Sequence, residues 1–263
     1  MTLTAPFNDL QGWLIDMDGV LYHGTHPLPA ARDFIATLQA QKTPFLFLTN
    51  NATRTPDAYV SRLAEMGIHV GPDAIFSSAL ATALYVKEHF PPPRRALVIG
   101  GSGIQVALQE ADYELVQQAN EADLVISSMD VAITYPRLAE ATLAIRGGAP
   151  WLQTNPDPTF PSERGIIPGA GSIQAFLETA TEQKPIVVGK PQPGIYRQAL
   201  ARLGVAPEHA VMLGDRLETD ILGGHRAGLK TMCVLTGIAN RAQAETYHPR
   251  PDWIIDDLTK IIN

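Results

Sequence analysis

The chain alternates between short, almost wholly apolar runs and longer stretches in which apolar residues recur every three or four positions. Residues 13–15 and 45–48 form apolar runs, and a run that is apolar on both faces is typical of a central parallel strand covered by helices on each side. Between positions 31 and 38, apolar residues recur at i, i+3, i+4 and i+7, which predicts one buried helix face. Repetition of this strand–helix rhythm predicts an α/β fold with a doubly wound parallel sheet.

The rhythm is interrupted once and then resumed. Pro91, Pro92 and Pro93 cannot continue a helix or join the interior of a sheet, so they predict a stiff linker. A second α/β series follows, and Lys184-Pro185 predicts the linker that returns the chain to the first pattern. The sequence therefore predicts a discontinuous core domain (residues 1–90 and 184–263) and an inserted α/β domain (residues 91–183).

Composition narrows the class of protein. A chain of 263 residues with 45% apolar residues is long and apolar enough to bury a core. Its formal charge of −7 argues against a nucleic-acid or anionic-membrane partner. Cys233 is the only cysteine, which excludes an intrachain disulfide and a thiolate metal cluster. We find no signal-peptide pattern and no apolar run near the ~18 residues of a membrane span, so we expect a cytoplasmic protein without a membrane partner.

Two acidic residues follow the first predicted strand. Asp16 and Asp18 are two positions apart, so in an extended chain their side chains point to the same side. Two carboxylates this close repel each other, and a site retains them by binding a cation, sharing a proton or doing chemistry. An Asx turn uses the same residue types, whereas a calcium-binding EF-hand loop would need another oxygen ligand at Val20.

Polar residues also follow three later strands. They are Thr49 with Asn50, Lys190, and Asp215 with Asp220. In open parallel sheets, ligands bind beyond the carboxyl ends of the strands. Asp16 and Asp215 could together hold Mg²⁺, which prefers oxygen ligands, while Thr49, the backbone N–H of Asn50 and Lys190 are donors suited to a phosphate. Acids, a hard metal and phosphate donors indicate phosphoryl transfer.

These segments resemble the four motifs of the haloacid dehalogenase superfamily of phosphohydrolases. In chain order they are Asp16-Met17-Asp18-Gly19-Val20-Leu21, Thr49-Asn50-Asn51, Lys190, and Gly214-Asp215 through Thr219-Asp220. Three further segments are similar to its NagD-like class IIA branch: Thr154-Asn155-Pro156-Asp157, Pro168-Gly169-Ala170-Gly171-Ser172 and Val188-Gly189-Lys190-Pro191. That branch includes p-nitrophenyl phosphatases, phosphoglycolate phosphatases and pyridoxal phosphatases. The resemblance covers nearly the whole chain and implies a Rossmann-like core with an inserted cap domain.

The resemblance also implies a role for each matching residue. Asp16 would be the nucleophile that forms an aspartyl-phosphate, and Asp18 would protonate the leaving oxygen and then deprotonate the hydrolytic water. Asp16, the backbone carbonyl of Asp18 and Asp215 would hold Mg²⁺. Asp220 would belong to the metal site either as a direct ligand or through metal-bound waters. Phosphate would contact Thr49, Asn50, Asn51 and Lys190, and Lys190 would also neutralise charge on the nucleophile.

The inserted domain would be a mobile lid that supplies specificity. Its loop from Asn155 to Gly165 is the candidate for contact with the leaving group, with Asn155, Asp157 and Phe160 as substrate-binding candidates. Phe160 fits a core or interface aromatic equally well. Glu163 and Arg164 on the same loop could contact a charged leaving group.

We therefore predict a Mg²⁺-dependent phosphatase that hydrolyses a small phosphomonoester metabolite. Two alternatives stay open: a phosphoprotein phosphatase, and a non-catalytic module that binds phosphate or a metal. Sugar phosphates, phosphoglycolate, nucleotides and pyridoxal phosphate all fit the motifs. A homodimer also stays open, because cap-mediated dimers occur in the branch that the chain resembles.

Overall fold

The computed structural model, which describes residues 1–162 and 164–263, divides the chain into two units, each with its own sheet. The first unit comprises Met1–Thr49, Asp57–Phe76 and Lys190–Asn263, and the second comprises Asn50–Pro56 and Ser77–Gly189. The sequence pattern predicts domain borders after residues 90 and 183. The observed borders instead lie at two predicted site segments, next to Thr49 and next to Lys190.

The secondary structure consists of short strands and helices that mostly alternate along the chain. The strands are β1 (Gly12–Ile15), β2 (Tyr22–His23), β3 (His26–Pro27), β4 (Phe45–Thr49), β5 (Ile75–Ser77), β6 (Arg94–Ile99), β7 (Tyr113–Val116), β8 (Leu124–Ser127), β9 (Trp151–Gln153), β10 (Thr159–Ser162), β11 (Gly165–Pro168), β12 (Ile186–Val187), β13 (Ala210–Gly214), β14 (Lys230–Val234) and β15 (Trp253–Ile255). The α-helices are α1 (Ala31–Ala40), α2 (Pro56–Glu65), α3 (Ser78–His89), α4 (Ser102–Glu110), α5 (Tyr135–Arg146), α6 (Ala170–Thr181), α7 (Pro193–Leu203), α8 (Leu222–Arg226) and α9 (Arg241–Thr246).

The sheet of the first unit has the strand order β15-β14-β13-β1-β4-β5. The chain starts at β1 in the middle, moves outward through β4 and β5, and later moves outward in the other direction from β13. β1 pairs in parallel with both neighbours, so that Ile15 lies opposite Leu213 on one side and Phe47 on the other. All three of these side chains are fully buried. The prediction of an α/β fold with a doubly wound parallel sheet is confirmed, and β1 ends at the point where the strand order reverses.

The second unit has a parallel sheet in the order β12-β9-β8-β6-β7. Its core lies between this sheet and the helices, with Val125, Ile145 and Leu177 fully buried. α3 belongs to this unit, whereas the sequence pattern predicts that residues up to 90 belong to the first domain.

The Gly- and Pro-rich segment that follows β9 contains an antiparallel hairpin that the sequence did not predict. β10 pairs with β11, so that Phe160 lies opposite Ile167. The described residues of the hairpin strands are exposed or half-buried. A strand without a buried face needs no alternation of apolar and polar positions, so the sequence gives no strand signal here. Among the described residues, no helix is both long and apolar enough to cross a membrane.

Candidate active site

A buried lysine joins two carboxylates in the first unit. Lys190 Nζ donates to Asp16 Oδ1 at 3.0 Å, to Asp220 Oδ1 at 2.7 Å and to the carbonyl of Leu48 at 3.0 Å. Burial alone would lower the pKa of the Lys190 ammonium, but the charges of Asp16 and Asp220 outweigh it and hold the pKa above its usual value. Lys190 is therefore a fixed positive charge next to Asp16 at neutral pH.

Parallel pairing explains why residues far apart in the sequence meet here. Asp16 directly follows β1, and its backbone N–H donates to the carbonyl of Leu213 on β13 at 2.9 Å. Asp215 follows β13, and Thr49 is the last residue of β4 on the other side of β1. Because parallel strands end at the same edge of the sheet, these three side chains belong to one edge.

A π-helical turn positions Asp220. Residues Leu217–Ile221 form this turn directly before α8. The turn brings the Asp220 carboxylate back over the end of β13, where Oδ2 accepts the backbone N–H of Arg216 at 3.1 Å. A methyl group at Gly214 would overlap the Asp220 side chain, so the close approach requires glycine at that position. Single π-helical turns of this kind occur frequently at functional sites.

Asp215 carries a buried oxygen without a hydrogen-bond donor. Its Oδ2 accepts the backbone N–H of Ile238 at 2.8 Å, whereas Oδ1 has no partner among the described residues. Burial, followed by the nearby charges of Asp16 and Asp220, raises the pKa of Asp215 to about 8. Burial likewise raises the pKa of Asp220 to about 6, although the Lys190 charge opposes the increase. A buried carboxylate that has one oxygen without a donor and lies near other acids is suited to a cation.

The donor set fits Mg²⁺. One carboxylate oxygen from each of Asp16, Asp215 and Asp220 lies within 4.8 Å of the others, and all three residues are buried. Mg²⁺ prefers carboxylate oxygens and water as ligands. The described groups at this cluster are oxygens and one ammonium, which is unlike a site built for a soft metal.

Asp18 lies on the turn between β1 and β2, outside this cluster of carboxylates. It is half-buried and forms an isolated bridge with Tyr22. The next residue, Gly19, has a φ of +82° and donates its N–H to the carbonyl of Tyr22 at 2.9 Å. Burial, followed by the charge of Asp18, raises the pKa of the Tyr22 hydroxyl above its usual value. Asp18 is therefore not one of the three grouped acids, and its charge acts on Tyr22 in the same turn.

The second unit brings three other predicted site residues together. Asn50 Nδ2 donates to Asp157 Oδ2 at 3.0 Å, and Asn155 Nδ2 donates to the Asn50 carbonyl at 2.7 Å. The same carbonyl accepts the Ser78 hydroxyl at 2.6 Å. Asn155 and Asp157, expected at the substrate, therefore contact Asn50 directly.

The other predicted residues that the structure describes lie elsewhere in the second unit. Asn51 Oδ1 accepts the backbone N–H of Thr53 at 3.0 Å and its hydroxyl at 2.7 Å, which is the geometry of an Asx turn. Phe160 is half-buried on β10. Arg164 is exposed at the turn of the hairpin, and Glu163 lies outside the described residues.

The loop at residues 235–239, which follows β14, contacts the site and was not singled out from the sequence. Its Ile238 N–H holds Asp215, and its Thr236 hydroxyl donates to the carbonyl of Gly19 at 2.6 Å. One signal was available: Thr236 and Gly237 come directly after an apolar strand, at the same edge of the sheet as the other site residues.

Comparison with known proteins gives matches along nearly the whole chain. A family model described as haloacid dehalogenase-like hydrolase matches residues 13–114, and one described as HAD-hydrolase-like matches residues 187–261. The acid sugar phosphatase of Staphylococcus aureus is 37% identical over 252 residues, which is 96% of each chain.

Solved structures of phosphatases also match nearly the whole chain. The p-nitrophenyl phosphatase from Archaeoglobus fulgidus is 31% identical with a TM-score of 0.89, over 96% of this chain and 98% of that one. The glycerol phosphate phosphatase from Mycobacterium tuberculosis, solved in complex with magnesium, is 35% identical with a TM-score of 0.91, over 96% of this chain and 77% of that one.

Proposed function

The chain belongs to the haloacid dehalogenase-like hydrolases, and we propose that it is a Mg²⁺-dependent phosphatase that hydrolyses a small phosphomonoester through an aspartyl-phosphate at Asp16. The observation that carries the proposal is the contact of the Lys190 ammonium with Asp16 and Asp220 in the cluster that includes Asp215. The proteins that it resembles are named as phosphatases, which supports the activity; the intermediate and the substrate class are inferred from the residues.

In the first half of the reaction, a carboxylate oxygen of Asp16 attacks phosphorus and the bond from phosphorus to the ester oxygen breaks. Asp18 gives its proton to that oxygen, so the alcohol leaves neutral. In the second half, a water molecule attacks the phosphorus of the aspartyl-phosphate while Asp18 takes one of its protons. This step regenerates the Asp16 carboxylate and releases inorganic phosphate.

The positive charges of the site favour both halves. Lys190 remains protonated and offsets the negative charge that gathers between Asp16 and the phosphoryl group. Asp16, Asp215 and the backbone carbonyl of Asp18 would hold Mg²⁺, which when bound supplies a second positive charge against the phosphate oxygens. Asp220 orients Lys190 through the 2.7 Å contact, so its effect on catalysis passes through the lysine.

The phosphate would be bound by Thr49 and by Asn50, the next residue in the chain. Thr49 is buried at the end of β4, and Asn50 is held by Asn155 and Asp157. The second unit would act as the lid that contacts the leaving group, with the β10–β11 hairpin and Phe160 as the specificity segment. The named activities of the relatives favour a sugar phosphate or a glycerol phosphate as the type of substrate.

Turnover of p-nitrophenyl phosphate with Mg²⁺ tests the proposal. We expect activity in the wild type, and a loss of about a thousandfold or more in Asp16→Asn, because the amide is not a nucleophile. Asp73→Asn is the matched control, since the Asp73 side chain is 99% exposed. Equal activity in wild type and Asp16→Asn would refute the assignment of the nucleophile. Phosphate binding without turnover across sugar, glycerol and protein phosphates would instead favour a non-catalytic module.

A further inference from the structure

We propose that Thr236 is a positioning residue for the acid–base chemistry of Asp18, a role that rests on the proposed function. Thr236 lies in the loop that follows β14, outside the four motifs. Its hydroxyl joins the turn that carries Asp18 to the loop that holds Asp215, and all of these residues belong to the first unit.

Hydrogen bonds hold the backbone on both sides of Gly19. Thr236 Oγ1 donates to the Gly19 carbonyl at 2.6 Å, and the Gly19 N–H donates to the Tyr22 carbonyl at 2.9 Å. The peptide groups before and after Gly19 are therefore both fixed by hydrogen bonds. The Tyr22 contact fixes the peptide group that joins Asp18 to Gly19, and the Thr236 contact fixes the peptide group that follows it. Glycine has more conformational freedom than any other residue, and the outside contact from Thr236 limits that freedom.

Backbone hydrogen bonds hold the loop that carries Thr236 against Asp215. In the same loop, the Ile238 N–H donates to Asp215 Oδ2 at 2.8 Å and the Ala239 N–H donates to the Asp215 carbonyl at 3.0 Å. A methyl group at Gly237 would overlap the Asp215 carboxylate, which shows how closely the loop packs against that residue. The Thr236 hydroxyl is thus held in a fixed position relative to Asp215.

A third contact joins the same loop to the strand after the turn. His23 Nε2 on β2 lies 2.6 Å from the carbonyl of Thr236. The turn from Asp18 to His23 therefore contacts the loop near both of its ends. Of the two contacts, the hydrogen bond from the Thr236 hydroxyl to Gly19 is the nearer to Asp18 in the sequence. Catalytic groups must be held to within a fraction of an ångström of the productive geometry. Removal of the Thr236 hydrogen bond to Gly19 should therefore impair proton transfer by Asp18.

Proton transfer to the leaving group matters most when that group is basic. Phenolate is much more basic than p-nitrophenolate. Cleavage of phenyl phosphate therefore depends on the general acid, whereas p-nitrophenolate leaves readily without protonation. The two esters are similar in shape and share the phosphoryl group. A displaced Asp18 should therefore slow phenyl phosphate selectively, whereas general loosening of the site should slow both esters equally.

The test measures kcat/KM for both esters in wild type, Thr236→Val and Thr236→Ser, with Mg²⁺ present. We expect Thr236→Val to reduce kcat/KM about tenfold for phenyl phosphate and less than about twofold for p-nitrophenyl phosphate. Thr236→Ser keeps the hydroxyl and should keep the wild-type ratio. Thr246→Val is the matched control, because the Thr246 hydroxyl donates to the carbonyls of Ala242 and Gln243 within α9.

The ratio of the two kcat/KM values does not depend on how much of a variant is folded, so partial unfolding of Thr236→Val leaves the result interpretable. Equal losses on both esters, or an unchanged ratio in Thr236→Val, would overturn the role of Thr236. A wild type that hydrolyses neither ester would instead overturn the proposed function on which it rests.

Discussion

The Lys190 ammonium lies 2.7 Å from Oδ1 of Asp220, and the two side chains are only 3% and 0% exposed. Removal of one partner from a buried ion pair leaves an unpaired buried charge, which lowers the free energy of unfolding by about 3–5 kcal/mol. Asp16 is the second acid on the same ammonium, at 3.0 Å. The same ammonium therefore stabilises this edge of the sheet and holds the carboxylate of Asp16, the proposed nucleophile.

Asp215 and Asp220 should respond differently to substitution by asparagine. Asp220→Asn weakens the hold on Lys190, so we expect kcat to fall about tenfold or more with little change in the Mg²⁺ concentration for half-maximal activity. Asp215→Asn removes a proposed metal ligand, so that Mg²⁺ concentration should rise about tenfold or more. Activity titrations with MgCl₂ measure both quantities. A larger shift in the Mg²⁺ requirement for Asp220→Asn than for Asp215→Asn would show that Asp220 is the direct ligand.

The metal-free protein should lose stability as pH rises. The pKa values of Asp215 and Asp220 rise from 3.8 to about 8 and about 6 in the folded state. Between pH 4 and 8 the folded state therefore binds protons that the unfolded state has released, and the free energy of unfolding falls with increasing pH in this window. Mg²⁺ held by these carboxylates, as proposed, would favour their ionised form and should counteract this effect.

Thermal unfolding in EDTA and in Mg²⁺ measures this dependence. We expect Mg²⁺ to raise Tm more at pH 8 than at pH 5, and we expect Asp215→Asn to flatten the pH dependence in EDTA. An increase in Tm from pH 5 to pH 8 in EDTA would contradict the pKa values assigned to these acids.

Asp157 should act on the phosphate through Asn50. Its carboxylate accepts from Asn50 Nδ2 at 3.0 Å, so Asp157→Ala should weaken inhibition by inorganic phosphate about tenfold, the value of one charge-assisted hydrogen bond. The rise in KM should be similar for every monoester, because the phosphoryl group is common to all of them. Competitive inhibition by inorganic phosphate, which has no leaving group, measures this directly.

Phe160→Ala is the contrasting variant. A residue that contacts the leaving group should change KM by different factors for different esters and should leave the inhibition constant of inorganic phosphate unchanged. If Asp157→Ala shows this second pattern, Asp157 contacts the leaving group rather than supporting Asn50.

The sequence was sufficient for the part of the site that depends on strand order. Apolar runs mark strands, the carboxyl ends of parallel strands share an edge, and the residue types at those ends select the chemistry. This reasoning brought Asp16 and Asp215 together although they are distant in the chain. The structure confirms the sheet on which it relied.

The parts that the sequence did not predict depend on local geometry without a periodic signal. The direction of Asp220 depends on a π-helical turn, and such a turn has the composition of an ordinary helix start. The contacts of Asn155 and Asp157 with Asn50 were not predicted, because polar residues in a loop do not reveal which side chains they contact. Thr236 acts through a single hydroxyl, which no spacing rule identifies.

The central claim, an aspartyl-phosphate formed at Asp16 and hydrolysed with the help of Asp18, is tested most directly by rapid mixing of Asp18→Asn with p-nitrophenyl phosphate. Because p-nitrophenolate leaves without a proton, the first half of the reaction should proceed while hydrolysis slows about a hundredfold or more. We predict a burst of p-nitrophenolate stoichiometric with the enzyme, and an acid-quenched protein that carries one phosphoryl group on Asp16 by mass spectrometry. A linear time course with an unmodified Asp16 peptide would contradict the account.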